Sequence, residues 1–368
     1  AILALAKDYS DLRARLGRIV IAKSNSGNPI TADELGAAGA MCLLLREALM
    51  PNLVQTLEGN PVFIHCGPFA NIAHGNSSII ADEIALSCAD YVVTEAGFGA
   101  EMGAEKALHI KAPAADRAPD CLILNATVRA MKMHGGGFAS GGGRRPTPEE
   151  LETENVEATR AGAASNLRRH VRNLAETSIP VIVSINRFEH DTEAEIEAIR
   201  DEAVKAGAKQ VVLNEAFAKG GEGATELADA VVAACASHDE AGRPYTPVVE
   251  HGMTIEETVL RVATNVYGAH TVDFSDKAQA SLKTLKEWGM GSLPVCMAKT
   301  QYSFSHEPKV LGAPAGFTLP IREVRVNAGA GFVVAVCGSM MTMPGLPTRP
   351  AALDMDMDDE GRLTGVFR

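Results

Sequence analysis

The sequence predicts an α/β protein with parallel sheets flanked by helices, on three observations. Short β-branched or aromatic runs alternate with helical patterns along most of the 368 residues, the arrangement expected of βαβ units. The run PVFIH, Pro61 to His65, breaks at Gly67-Pro68 into a loop that presents Asn71, His74, Asn76, Ser77 and Ser78 ahead of an apolar helical stretch. Open α/β sheets take their ligands at such strand-to-helix loops, and an Asn/Ser-rich turn that caps the next helix is the plainer alternative. Third, Gly135 to Glu150 is rich in small residues with two prolines; it reads as a linker, costly to order.

Taken in order, ILALAKDYSDLRARLG reads as a helix and RIVIAKS as a strand. TADELGAAGAMCLLLREAL reads as an amphipathic helix with Thr31 or Asp33 as N-cap. PVFIHC, expected to be buried, DYVVTEA and CLILNATV are further strands, implying a parallel sheet covered on both faces. From Leu151 a long polar helix leads to the strand IPVIVSIN. TEAEIEAIRDEAVKAG is a helix whose early glutamates suit the helix dipole. KQVVLNEAF and ATELADAVVAACAS complete a second βαβ unit near Ser237. Helices around Ile255 to Tyr267 and Asp276 to Trp288 follow, then loops and short strands. The expected domains are 1–150, 151–240 and 241–368.

Composition narrows the function. The net charge is −12 with no basic patch, which argues against nucleic acid as a partner; Arg168, Arg169 and Arg172 read as a solvated helix face. No apolar run reaches ~18 residues, so no membrane span is expected. Seven cysteines without a Cys-x-x-Cys predict reduced thiols in a cytoplasmic protein and no zinc site. His65 and His74 stand nine apart with no third ligand, so no metal site is expected.

Beyond the opening loop come YVVTEAGFGAEMGAEK, LNATVRAMKMHGGG, INRFEHDTEAEI, FAKGGEG, LPVCMAKTQYSFSH and MTMPGLPTRP. In this order they resemble the formate–tetrahydrofolate ligase (10-formyltetrahydrofolate synthetase) family, from about Leu12 to the C-terminus. ATVRAMKMHGG is similar to one of the family's two signatures, with Met131 where leucine is usual. The resemblance implies a P-loop NTPase-like main domain, incomplete here, plus smaller α/β domains. Residues 1–150 would be the remainder of the nucleotide-binding domain, 151–240 would carry the folate-slot aromatics, and 241–368 would be C-terminal. The family's phosphate-binding loop lies in a portion preceding Ala1, and this chain has no Gly-Lys dipeptide, which a Walker-type loop needs. An N-terminally truncated ligase is therefore expected, whose activity alone stays open.

The implied reaction joins formate to tetrahydrofolate through formyl phosphate, giving 10-formyltetrahydrofolate, ADP and phosphate. It implies ATP with Mg2+, a monovalent cation and a homo-oligomer. The absent phosphate loop motivates the alternative, a non-catalytic folate- or nucleotide-binding protein of the same fold.

The resemblance sets the pterin against Phe188 and Phe217, the latter where tryptophan is common; a smaller ring still stacks. Both follow strands of one βαβ unit, so their loops should open on one sheet edge; ordinary core phenylalanines are the alternative. Phe98 is implied as a third aromatic of the ligand site, between Gly97 and Gly99, which let backbone approach a ligand. Asn186 is a candidate for a ligand edge, pterin or nucleotide, or simply closes its strand. Lys219 is a candidate for a glutamate tail or a phosphate, or is solvated. Lys132 and His134, in KMHGGG, are candidates for catalysis at a phosphate or amine, because histidine titrates near neutrality, or else for capping strand-end carbonyls. His65 and His74 are candidates for a formate or phosphate pocket, with structural histidines as the alternative. Lys299 and His306 in MAKTQYSFSH, and the TMPGLPTRP segment, have no assigned role.

Overall fold

The computed structural model describes residues 1–138, 146–340 and 348–365. Parts of the expected linker (139–145) and of MTMPGLPTRP (341–347) lie outside the described residues.

The first third departs most from expectation. The initial helical run divides into Ile2–Leu5 and Tyr9–Gly17, because the Asp8 carboxylate accepts the Asp11 N–H at 2.7 Å and starts a new helix. Strands β1 (Val20–Lys23) and β2 (Pro29–Thr31) form an antiparallel hairpin. The next helix is only Ala38–Leu44, capped at Ala37 rather than at Thr31 or Asp33. Thr31 lies in β2 and closes a turn with Glu34 instead, and Gly36 at φ +76° breaks the helical path.

Strands β3 (Asn52–Gln55) and β4 (Pro61–Ile64) make a second antiparallel hairpin. The expected burial of PVFIH is overturned for Pro61–Ile64 and holds only at His65: Ile64 is 55% exposed, and among the described residues β4 pairs with β3 alone. DYVVTEA forms no strand; among the described residues its one ladder contact is an isolated bridge from Ala96 to Asn76. Strand propensity is realised only where a neighbouring strand takes up the backbone groups.

The βαβ reading holds beyond residue 120. Strands β5 (Leu122–Ala126), β6 (Val181–Asn186) and β7 (Gln210–Asn214) form a parallel sheet in that order. Side chains alternate as a strand requires. Leu124, Val181, Val183, Ile185 and Val211 pack on the helices Val156–Gly162 through Arg168–Ala175 and on Glu193–Ala206, while Ile182 and Val212 pack on Ala230 and Ala234 of the helix Thr225–Glu240. The expected boundary at 150 therefore cuts through a sheet, since β5 precedes it and β6 and β7 follow.

Strands β8 (Thr271–Phe274), β9 (Val295–Ala298), β10 (Thr318–Asn327) and β11 (Phe332–Cys337) form a mixed sheet in the order β8-β10-β11-β9. One face packs on the helices Ile255–Asn265 and Asp276–Glu287. The other packs on Leu5, Ile79 and Ile110, so the first third of the chain docks against this sheet. Strands β12 (Asp356–Met357) and β13 (Leu363–Thr364) pair near the end.

The first glycine of the signature, Gly135, serves helix packing. A Cβ on Gly135 would stand 1.8 Å from the Ala158 carbonyl oxygen, and one on Gly162 would stand 2.0 Å from that of Met131. The helices Val128–His134 and Val156–Gly162 thus cross backbone to backbone. Gly162→Ala is expected to lower stability by about 1–3 kcal/mol by overpacking, read from urea denaturation midpoints.

Candidate functional site

A groove of about 1250 Å³ runs along the open side of β5. Phe98, Gly99, Asn125, Thr127, His134, His170, Tyr302 and Phe304 are among its lining residues. Phe98 is 43% exposed and holds a left-handed backbone (φ 67°), with its ring edge-on to Phe69 at 6.0 Å. Such conformations are uncommon outside glycine and collect at functional sites. Gly97 and Gly99 are required by close approach: a Cβ on the first would meet Ala70 at 2.8 Å, and one on the second would meet the Glu101 carboxylate at 2.2 Å.

His134 faces this groove in a defined state. Its Nδ1 accepts the Gly312 N–H at 3.0 Å, which puts the ring proton on Nε2. Burial, reinforced by His170 and opposed by Glu101, pushes its pKa down to about 4. The expected titration near neutrality is corrected: at pH 7 His134 is a neutral hydrogen-bond donor.

Lys132 and His65 turn inward. Lys132 is 1% exposed; its Nζ donates to the carbonyls of Leu151 and Thr153 at 3.2 and 2.9 Å and pairs with Glu195 at 2.8 Å. His65 Nε2 donates to the Ala48 carbonyl at 2.8 Å, and its Nδ1 accepts from the Ser78 hydroxyl at 2.6 Å. Ser78 in turn caps the helix Ile79–Cys88 through the Ala81 N–H, so the opening loop does serve as a helix cap. His74 is fully buried, and neither ring nitrogen finds a partner among the described residues. Burial, reinforced by the positive charges of Lys111 and Lys106, pushes its pKa down to about 3.

Sequence reasoning missed a buried cluster behind the groove. Lys299, at the end of β9, is 0% exposed and donates to Glu101 Oε1 at 3.1 Å, to the Thr300 carbonyl at 2.9 Å and to the Ser303 carbonyl. Burial lowers the lysine pKa, and Glu101 opposes it. Burial alone would raise the Glu101 pKa, but Lys299 and His170 hold it below the usual carboxylate range. His170 Nδ1 stands 3.8 Å from the same carboxylate, and its ring stacks on Phe304 at 4.6 Å. MAKTQYSFSH is thereby explained: Lys299 ties down the loop that carries Tyr302 and Phe304 into the groove wall. The lysine's place at a strand end was the available signal; its partners lie too far away in sequence to be read.

The βαβ aromatics lie elsewhere on the sheet edge. Phe188 follows β6 and Phe217 follows β7, and neither lines the groove that Phe98 lines. The Phe188 ring carries the Arg129 guanidinium over one face at 4.4 Å, and its N–H donates to Asp191 at 2.9 Å. Phe217 is 87% exposed, in the turn Ala216–Lys219. Lys219 pairs with Glu215 at 2.6 Å, and Asn186 closes β6 opposite Asn214. Among the described residues, no group of three or more His, Cys, Asp or Glu is arranged to hold a metal ion.

A family model described as formate–tetrahydrofolate ligase matches residues 1–367. The curated formate–tetrahydrofolate ligase of Roseiflexus sp. (strain RS-1) is 51% identical over 366 residues, covering 100% of this chain and 64% of its own length. That of Paracoccus denitrificans (strain Pd 1222) is 52% identical over 367 residues, covering 100% and 63%. That of Desulforamulus reducens is 48% identical over 368 residues, covering 100% and 64%. The chain thus spans 63–64% of the length of these relatives. It belongs to the formate–tetrahydrofolate ligase family.

Proposed function

We propose that this chain forms part of an ATP-dependent ligase that joins formate to tetrahydrofolate, with the pterin held at the ends of β6 and β7. The observation that carries the reading is the placement of Phe188 and Phe217 in consecutive strand-end loops of one parallel sheet. That edge is where such sheets bind ligands, and flat rings, half-buried at Phe188 and exposed at Phe217, suit a pterin. Formate is a poor acyl donor; phosphorylation by ATP gives formyl phosphate, whose phosphate leaves as the folate amine attacks. Protein groups serve such chemistry by positioning and by stabilising charge on phosphate oxygens.

The groove beside β5 is the nucleotide and formate side of the proposal. His134 offers an Nε2–H to a phosphate or carboxylate oxygen there, and Phe98 and Tyr302 offer exposed rings. The P-loop NTPase-like character, the homo-oligomer and the cytoplasmic location belong to the same reading. So do Mg2+ and a monovalent cation. The described residues form no cluster to hold a metal, so no step is assigned to one.

Calorimetric titration with tetrahydrofolate, alongside Phe188→Ala, tests the slot. Saturable binding by the parent chain is expected, weakened about tenfold or more in the variant, since losing a stacked ring costs ~1–1.5 kcal/mol and its buried area more. Unchanged affinity in the variant would remove Phe188 from the slot.

A further inference from the structure

The hairpin β3–β4 reaches the proposed pterin slot through one side chain. Its turn is tightly built: Thr56 N–H donates to the Asn60 carbonyl at 2.9 Å, and Gly59 N–H to the Thr56 carbonyl at 3.0 Å. This turn presents Glu58, whose Oε1 accepts the Gly221 N–H at 2.7 Å, 163 residues away in sequence.

The glycines permit this contact. A Cβ on Gly220 would lie 2.6 Å from Glu58 Oε1, and one on Gly221 would lie 2.5 Å from Oε2. Real Cβ atoms do not approach so closely, so the carboxylate seats here only because residues 220 and 221 have none. Gly220 also has φ +63°, which suits glycine alone among common residues. These glycines directly follow the turn Ala216–Lys219, whose Phe217 is 87% exposed and so has little packing of its own to hold it.

We propose that Glu58 is a positioning residue for the folate slot: its carboxylate latches the Gly220-Gly221 loop and thereby fixes the ring of Phe217. The proposal rests on the folate reading of that slot. It assigns the hairpin, which buries little apolar surface of its own, a part in ligand binding. A carboxylate suits the task because a charge-assisted bond to a backbone N–H is stronger than a neutral one, while its exposure keeps it reversible.

Amide hydrogen exchange over residues 218–221 reads the latch without any ligand, and calorimetry with tetrahydrofolate reads its consequence. Glu58→Ala should speed exchange at Gly221 and weaken tetrahydrofolate binding about fivefold, on the scale of one exposed charge-assisted bond. Glu58→Gln keeps an acceptor oxygen and should restore most of both. Gly221→Ala should displace the flexible carboxylate and resemble Glu58→Ala. The double variant should be no worse than either single one, as two changes to one contact require. Thermal midpoints should stay within about 2 °C of the parent, which separates positioning from folding.

Equal Gly221 exchange in parent and Glu58→Ala overturns the latch. Faster exchange with unchanged affinity overturns its positioning role, and so does additivity in the double variant. A folded parent that binds no tetrahydrofolate removes the folate reading and with it the positioning role, while the exchange data still decide whether the latch exists.

Discussion

Replacing Lys299 by methionine is expected to destabilise the protein by about 3–5 kcal/mol, the range for stripping one partner from a buried ion pair. Methionine fills nearly the same volume, so the loss is electrostatic rather than steric. The Glu101 carboxylate, 5% exposed, would lose the one lysine or arginine that pairs with it among the described residues. The carbonyls of Thr300 and Ser303 would lose their donor as well, and each buried unsatisfied acceptor adds to the penalty. Glu101→Gln in the same background should recover part of the loss, because a neutral amide tolerates burial better than an unpaired carboxylate. Urea midpoints of the parent, the single and the double variants measure this. A shift under about 1 kcal/mol for Lys299→Met would mean that water reaches the pair and the cluster is no true interior. Because Lys299 also ties down the loop bearing Tyr302 and Phe304, ligands of the groove should weaken in parallel.

That pair also marks the limit of what the sequence reveals. The sheet β5-β6-β7 and its helices were legible because local pattern and tertiary setting agree: IPVIVSIN is apolar on both faces and is buried on both. The helix Glu193–Ala206 announces itself by the capping box of Thr192 and Glu195. RIVIAKS, PVFIHC and DYVVTEA have the same local pattern, yet they are hairpin strands or no strand. Strand identity there depends on neighbours that a local reading cannot supply. Site residues divided similarly. Strand-end aromatics follow from chain position alone, whereas the inward turn of Lys132 and His65 depends on carbonyls contributed by distant segments. Lys132 and Lys299 read alike as motif lysines; only burial reveals both as neutralised internal charges. The Gly135 to Gly137 run read as the start of a linker, and Gly135 proves to be a helix crossing because Gly162, 27 positions later, meets it.

Stability should fall steeply in mild acid, and histidines are the reason. His74 and His134 are held neutral in the folded chain, with pKa values near 3 and 4 against 6.5 when unfolded. His170 is lowered too, by burial first and with Glu101 opposing. Each folded pKa lies below its unfolded value, so the unfolded chain binds more protons throughout the window between them. Stability from these groups is complete above about pH 6.5 and declines as the pH drops toward 3–4. From pH 7 to pH 5, His74 and His134 together should remove about 4 kcal/mol, at up to ~1.4 kcal/mol per pH unit for each proton. That is a large fraction of the 5–15 kcal/mol that typically holds a domain folded. Glu101, whose pKa is also depressed, extends the decline to still lower pH as its pairing with Lys299 is lost. Denaturant midpoints between pH 7.5 and 5 give the slope, and His134→Gln should flatten it by roughly half through loss of one of the two strongest contributors. A flat profile between pH 7 and 5 would show that protons reach these rings in the folded chain; the neutral donor state assigned to His134 would then be wrong, and a role for it as a titrating acid or base in the groove would return.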